Sequence, residues 1–166
     1  MSTPEWEVLR ECYRPKKIQT LLVGESCPNG GTFFYCGNSH LYQETAKVFE
    51  GLGYSQTFSL KFLKNYGWWL YDICPDPVNH LPRPERRSKI RENIQNLETL
   101  IQSEKPKHII VCKKDLVEHA ILSSPIMDYY QENQTIFFLP FPSFGNQKRF
   151  RECLSKLLIS DNLTVK

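Results

Sequence analysis

The six cysteines of this 166-residue chain include no CxxC pair. Cys12, Cys27, Cys36, Cys74, Cys112 and Cys153 lack the ligand spacing of a zinc ribbon or a redox dithiol, so neither metal nor cofactor is expected. No apolar run approaches the ~18 residues of a membrane span. The stretch MSTPEWEVLRECYRPKK carries charges where a signal peptide needs an apolar run. A cytoplasmic protein with reduced thiols is therefore expected. No Gly-Lys-Ser/Thr follows the glycine-rich segment, which excludes a Walker motif, and the glycine spacing does not match the dinucleotide fingerprint. A nucleotide-binding loop of another kind stays open. A net charge of +3 selects no partner class by itself. Without internal repeats or a linker, residues 1–166 read as one domain, long enough for a single core of helices packed on a sheet.

Aromatic residues, in contrast, are plentiful. Phe, Tyr and Trp make up 13% of the chain. Most belong in a core, and an excess also suits stacking on bases or sugars. Eleven prolines imply several sharply defined loops. The basic residues gather in two places: Arg83, Arg86, Arg87, Lys89 and Arg91 in one, Lys148, Arg149 and Arg151 in the other. Each group is either a solvated helix face or a phosphate-contacting surface.

Apolar periodicity orders the chain. IQTLLVG (18–24), WWLYDI (68–73), KHIIVC (107–112) and TIFFLP (135–140) read as buried strands. SHLYQETAKVFEGLG (39–53) reads as a helix with Ser39 as N-cap and Gly51 or Gly53 at its end. SLKFLKNYG suggests a short helix. The stretch 83–106 predicts a long helix with Ile90, Ile94, Leu97 and Ile101 on its apolar face and Pro84 at its start. KDLVEHAILSS and PIMDYYQEN follow as helices, and 146–160 as a closing amphipathic one. Four strands alternating with helices predict an α/β fold, a three-layer αβα sandwich around a four-stranded parallel sheet. Ligands of such sheets sit at the carboxyl ends of the strands. Three loops are expected there: GESCPNGGTFFY, DICPDPVNHLP and PFPSFGNQ.

The segment VGESCPNGGTFFYCGNSHLY (23–42) places four glycines, one carboxylate, two cysteines, a histidine and four aromatics in twenty residues. A strand, then Gly-Glu-x-x-Pro, then an aromatic-bearing turn into a helix resembles the first motif of the uracil-DNA glycosylase superfamily. LYDICPDPVN resembles its second strand end, and LPFPSFGNQKRF resembles its last motif, where a turn precedes a DNA-inserting loop. The order of the motifs and the layout of strands match over nearly the whole chain. The likeness is greatest to the small members without an iron–sulfur cluster.

The resemblance implies a monomeric, cytoplasmic (in a bacterium or archaeon, nucleoid-associated) base-excision enzyme. It would bind damaged DNA, as duplex or single strand, and hydrolyse the N-glycosidic bond of a damaged or deaminated base. Such an enzyme lifts the base from the stack into a pocket. Phe34 is the candidate for stacking on that base; otherwise it is a core residue. Glu25 is the candidate for positioning water and stabilising the cationic sugar; otherwise it is a loop acid bonded to local N–H groups. Ser26 stands where relatives direct the water with Asp or Asn. Asp72 stands where readers of uracil place Asn, and an ionised carboxylate only accepts hydrogen bonds. Either Asp72 is protonated, or Asn79 supplies the amide, or the base presents donors; as a further alternative, Asp72 simply caps its loop. Phe141 replaces a histidine that stabilises the leaving base, with His80 or His40 as possible substitutes. Pro142, Ser143, Phe144 and Gly145 would form the DNA-facing loop, and Lys148 and Arg149 would hold flanking phosphates. Two other readings stand beside this one: a catalytically inactive nucleic-acid or nucleotide-binding module on the same fold, and a hydrolase using Cys27 or Cys74 with His80.

Overall fold

A computed structural model describes residues 4–27, 29–54, 56–143, 145–160 and 163. The chain opens with a helix absent from the sequence expectations, α1 (Glu5–Cys12). Pro4 sets its entry and Glu5 and Glu7 lie in its first turn, where carboxylates suit the positive end of the helix. Trp6, Leu9 and Tyr13 pack its inner side onto the core. Then follow β1 (Thr20–Ser26), a 3-10 turn (Phe34–Cys36) and α2 (His40–Phe49). Ser39 does cap α2, its Oγ accepting from the Tyr42 N–H at 3.1 Å. The regular helix ends at Phe49 and runs into a wide turn (Glu50–Tyr54). The rest of the chain is α3 (Leu60–Asn65), β2 (Trp68–Cys74), α4 (Arg83–Glu104), β3 (His108–Cys112), α5 (Lys114–Leu122), α6 (Asp128–Glu132), β4 (Ile136–Leu139) and α7 (Gln147–Ser160).

The four strands form one all-parallel sheet in the order β2-β1-β3-β4. Strands β1 and β3 lie in the middle. Leu21, Leu22 and Val23 of one and Ile109, Ile110 and Val111 of the other are at most 1% exposed, as expected of strands covered on both faces. Helices α2 and α7 pack on each other, as do α4 and α5. This arrangement is consistent with a three-layer sandwich. The face of α4 that meets the core is Ile90, Leu97 and Ile101, with Ile94 packed beside them. No helix among the described residues is long and apolar enough to cross a membrane.

Strand β2 is an edge, and its open side is sealed by a side chain. The Tyr35 hydroxyl donates to the Leu70 carbonyl at 2.9 Å and accepts from the Leu70 N–H at 2.6 Å. One phenol thereby occupies both outward-facing backbone groups of that residue, which protects an edge from pairing with another chain. It also anchors the turn that carries Phe34 against the sheet.

Candidate functional site

Parallel strands that end together create a crevice at their carboxyl ends. Here β1, β2 and β3 end beside a cavity of about 280 Å³. Glu25 and Ser26 reach it from β1, Phe34 from the following turn and His40 from the start of α2. Asp72 enters from β2, Asn79 from the loop beyond it, Lys113 from just past β3, and Phe141 from just past β4. Residues spread over more than a hundred positions of sequence thus line one space.

The glycines of the first loop serve two distinct needs. Gly30 and Gly31 have φ of +72° and +77° with open space where a side chain would stand, so backbone conformation alone requires glycine there. Gly24 is needed for room. It pairs in register with Asp72 across the β1–β2 ladder, and a Cβ at residue 24 would lie 2.0 Å from Asp72 Oδ1. The absent side chain is what lets the Asp72 carboxyl settle over β1 and face the cavity.

Burial pushes the Asp72 carboxyl up from 3.8 to about 7. Arg10 opposes the rise, Glu25 adds to it, and Lys113 opposes it. Near neutral pH Asp72 is therefore protonated in a large share of molecules. A protonated carboxyl both donates and accepts, as an amide does. Gly24→Ala is expected to push this carboxyl out of place while the strand persists. Its titration, followed by carbon NMR of the Asp side chains, should move away from pH 7 and toward that of an ordinary Asp. An unchanged titration in the folded variant would refute the close-packing account.

Glu25 is 6% exposed and carries an ion-pair network. Arg86 Nε donates to its Oε1 at 2.7 Å and Arg86 Nη2 to its Oε2 at 2.6 Å. Lys113 Nζ reaches the same Oε2 at 2.5 Å. The forked contact from Arg86 is the strong bidentate kind. Lys113 has the left-handed backbone φ +86°, ψ +49°, which costs a non-glycine residue about 1–3 kcal/mol. Its ammonium lies 5.5 Å from the centre of the Phe141 ring, within cation–π range.

Sequence reasoning missed both cations. Arg86 was hidden in a basic cluster read as surface, and it turns inward instead. Arg151 does likewise, pairing with the buried Glu44 to tie α7 to α2. The remaining members, Arg83, Arg87, Lys89 and Arg91, are exposed. Lys113 had a legible signal. It stands one residue past an apolar strand, the position where parallel sheets present ligand residues, but no Gly- or Pro-rich loop marks that strand end.

Other expected site residues fall elsewhere. His80 is exposed and is not part of the cavity lining, whereas His40 is. Pro142 is buried, so it shapes the turn from within and does not meet solvent. The Ser143 N–H closes that turn on the Phe141 carbonyl at 2.8 Å, and Gly145 is exposed with φ +88°. Lys148 and Arg149 are exposed on α7, Lys148 at 3.9 Å from Glu152. Phe144 and Pro28 lie outside the described residues. The Ser26 hydroxyl accepts weakly from the Val78 N–H at 3.4 Å, holding the second loop against the first.

The cysteine reading fails on burial. Burial first, then the charges of Asp72 and Asp76, push the Cys27 thiol up to about 11. Burial, Glu25 and Asp72 push Cys74 up to about 12. The Cys27 thiol also donates to the Pro75 carbonyl at 2.7 Å. A nucleophilic cysteine needs the opposite environment, one that favours thiolate. Among the described residues no three His, Cys, Asp or Glu side chains gather as a metal site.

No protein-family model, no curated protein and no solved structure matches this chain.

Proposed function

We propose that the pocket receives a nucleobase drawn out of DNA, and that the protein is a uracil-DNA glycosylase-like hydrolase of the N-glycosidic bond. One observation carries the reading. A single cavity of about 280 Å³ holds an aromatic wall in Phe34, a donor–acceptor carboxyl in Asp72 and a network-bound acid in Glu25. Those are the three parts base excision needs: a surface to stack on, an edge to read, and charge to support the sugar cation. The four-stranded parallel sheet is of the kind such a fold uses.

The chemistry follows from these groups. The flipped base lies against Phe34 with its polar edge toward Asp72 and Asn79. Protonated Asp72 donates to a carbonyl of the base and accepts from the neighbouring N–H. A carboxylate offers about four acceptor sites, and the two cations fill three of those on Glu25. The last, on Oε1, holds the water that adds to the sugar. A damaged or deaminated base with an oxygen beside an N–H, such as uracil or hypoxanthine, fits this edge.

The engagement of both Glu25 oxygens favours a second reading, a binding module that has lost catalysis. A panel of duplexes and single strands, each with one lesion, separates the two under single-turnover conditions. Release of free base from at least one lesion is the expected result; binding without release supports the module. In both cases exposed Lys148, Arg149 and the outward residues of 83–91 should make affinity fall with salt, by about 0.9 log per log for each duplex phosphate contacted. A slope of zero would remove nucleic acid from the account.

A further inference from the structure

We infer that Lys113 takes up the negative charge of the departing base, the task for which position 141 offers only phenylalanine; the assignment rests on the base-excision reading of the same pocket. Four observations lead to it. Lys113 lines the cavity from just past the end of a central strand, and Phe34 lines the same cavity from the turn after β1. Its backbone is left-handed, a conformation that glycine holds without strain. Lysine at this position therefore needs a reason in its side chain. Its ammonium is held between two groups, Glu25 Oε2 at 2.5 Å and the Phe141 ring, whose centre lies at 5.5 Å. Glu25 occupies one of the three ammonium donors.

The charge balance points the same way. Arg86 alone matches the charge of Glu25 through two bonds. Lys113 then leaves the cluster with one positive charge in excess. Asp72 offsets only part of it near neutral pH, because burial raises that carboxyl to about 7. A site with one surplus cation and aromatic walls favours a flat organic anion over a bare phosphate.

In the reaction the bond from the sugar C1′ to the base nitrogen breaks, and its electron pair leaves with the base. The charge spreads onto a ring carbonyl oxygen, where the Lys113 ammonium donates a hydrogen bond. The water oxygen bonds to C1′, and its proton passes through solvent to the departed base. Water is thereby added across one bond, with no oxidant or further reactant.

Lys113→Gly and Lys113→Arg test the assignment. Glycine relieves the backbone, which offsets the lost ion pair and keeps the variant folded, as thermal melts will verify; arginine keeps the charge. Single-turnover release is measured with uracil and with 5-fluorouracil, the better leaving group. Loss of one positioned donor in such a site typically slows reaction by ~10²-fold. Lys113→Gly should slow uracil release by about that factor and 5-fluorouracil release by clearly less, and Lys113→Arg should recover part of both. Equal slowing of the two bases, or normal release by folded Lys113→Gly, overturns the proposal. A second arm needs no catalysis. Free 5-fluorouracil is titrated by NMR at pH values on either side of its ionisation, with inorganic phosphate as the competing anion. Wild type should prefer the anionic base, phosphate should not displace it, and Lys113→Gly should lose the preference. If wild type releases no base yet shows this preference, the excision reading falls and Lys113 stands as an anion-binding residue. If wild type shows no preference, or phosphate displaces the base, the Lys113 assignment falls whatever the excision result.

Discussion

Glu25→Gln is expected to lose both activity and stability. A positioned acid–base group contributes about 10²–10⁴ in rate, so single-turnover base release should drop by ~10²-fold or more. The structural loss has a separate origin. The glutamine keeps the shape but replaces one acceptor oxygen by an NH₂ donor. That donor would face Arg86 or Lys113, themselves donors 2.5–2.7 Å from the present carboxylate oxygens. Two part-buried cations would remain beside residue 25 without their counter-ion. Removing one partner of a buried ion pair costs about 3–5 kcal/mol; with Arg86 and Lys113 at 17% and 23% side-chain exposure, the lower end is expected. Melting curves should show a fall in Tm of roughly 6–12 °C. Measuring both readouts separates the roles. A variant that melts lower but excises normally makes Glu25 a structural anchor, and one that melts and excises like wild type refutes the site.

Asp72→Asn is expected to act in the opposite direction on stability. The folded-state pKa of Asp72 lies above its ordinary value, so the native protein keeps a proton that the unfolded chain has already released. Below about pH 4 both states are protonated and Asp72 contributes no difference. As pH rises from there to about 7, stability falls, and above that the loss is constant, on the order of 4 kcal/mol. Asparagine cannot ionise. The variant should therefore match wild type near pH 4 and melt several degrees higher near pH 8. Parallel melting profiles across that range would show that Asp72 is not buried against its charge. Because the amide donates and accepts at every pH, excision or binding should also shift toward uracil in the alkaline range, where wild-type Asp72 is ionised and faces the base oxygen with repulsion.

Much of the architecture was legible from local pattern. Continuous apolar runs such as LLV at 21–23 and IIV at 109–111 mark strands covered on both faces, and their alternation with amphipathic helices requires parallel crossovers. Ser39, Pro84 and the stripe Ile90, Leu97, Ile101 mark helix starts and faces because capping and 3.6-residue periodicity act within a few residues. The same locality placed Glu25, Phe34, Asp72 and Asn79 at or beyond the carboxyl ends of strands, although Glu25, expected in a loop, lies within β1, and Asp72 within β2. The first helix carries no capping side chain to mark its start, its N-cap being Pro4, although Trp6, Leu9 and Tyr13 form a stripe.

What local pattern could not determine depends on which strands lie side by side. The order β2-β1-β3-β4 brings Gly24 beside Asp72 and thereby sets the burial that raises its pKa. Arg86 and Lys113 stand 61 and 88 residues from Glu25, and no periodicity links residues so far apart. Arg86 looks like its exposed neighbours in composition and differs only in the face of α4 it occupies. The sequence by itself determined that an acid, an aromatic wall and a second carboxyl stand at strand ends. Only the tertiary structure decided that the acid is held by two cations and that the second carboxyl is raised to about 7, because charge interaction and desolvation depend on distance in space.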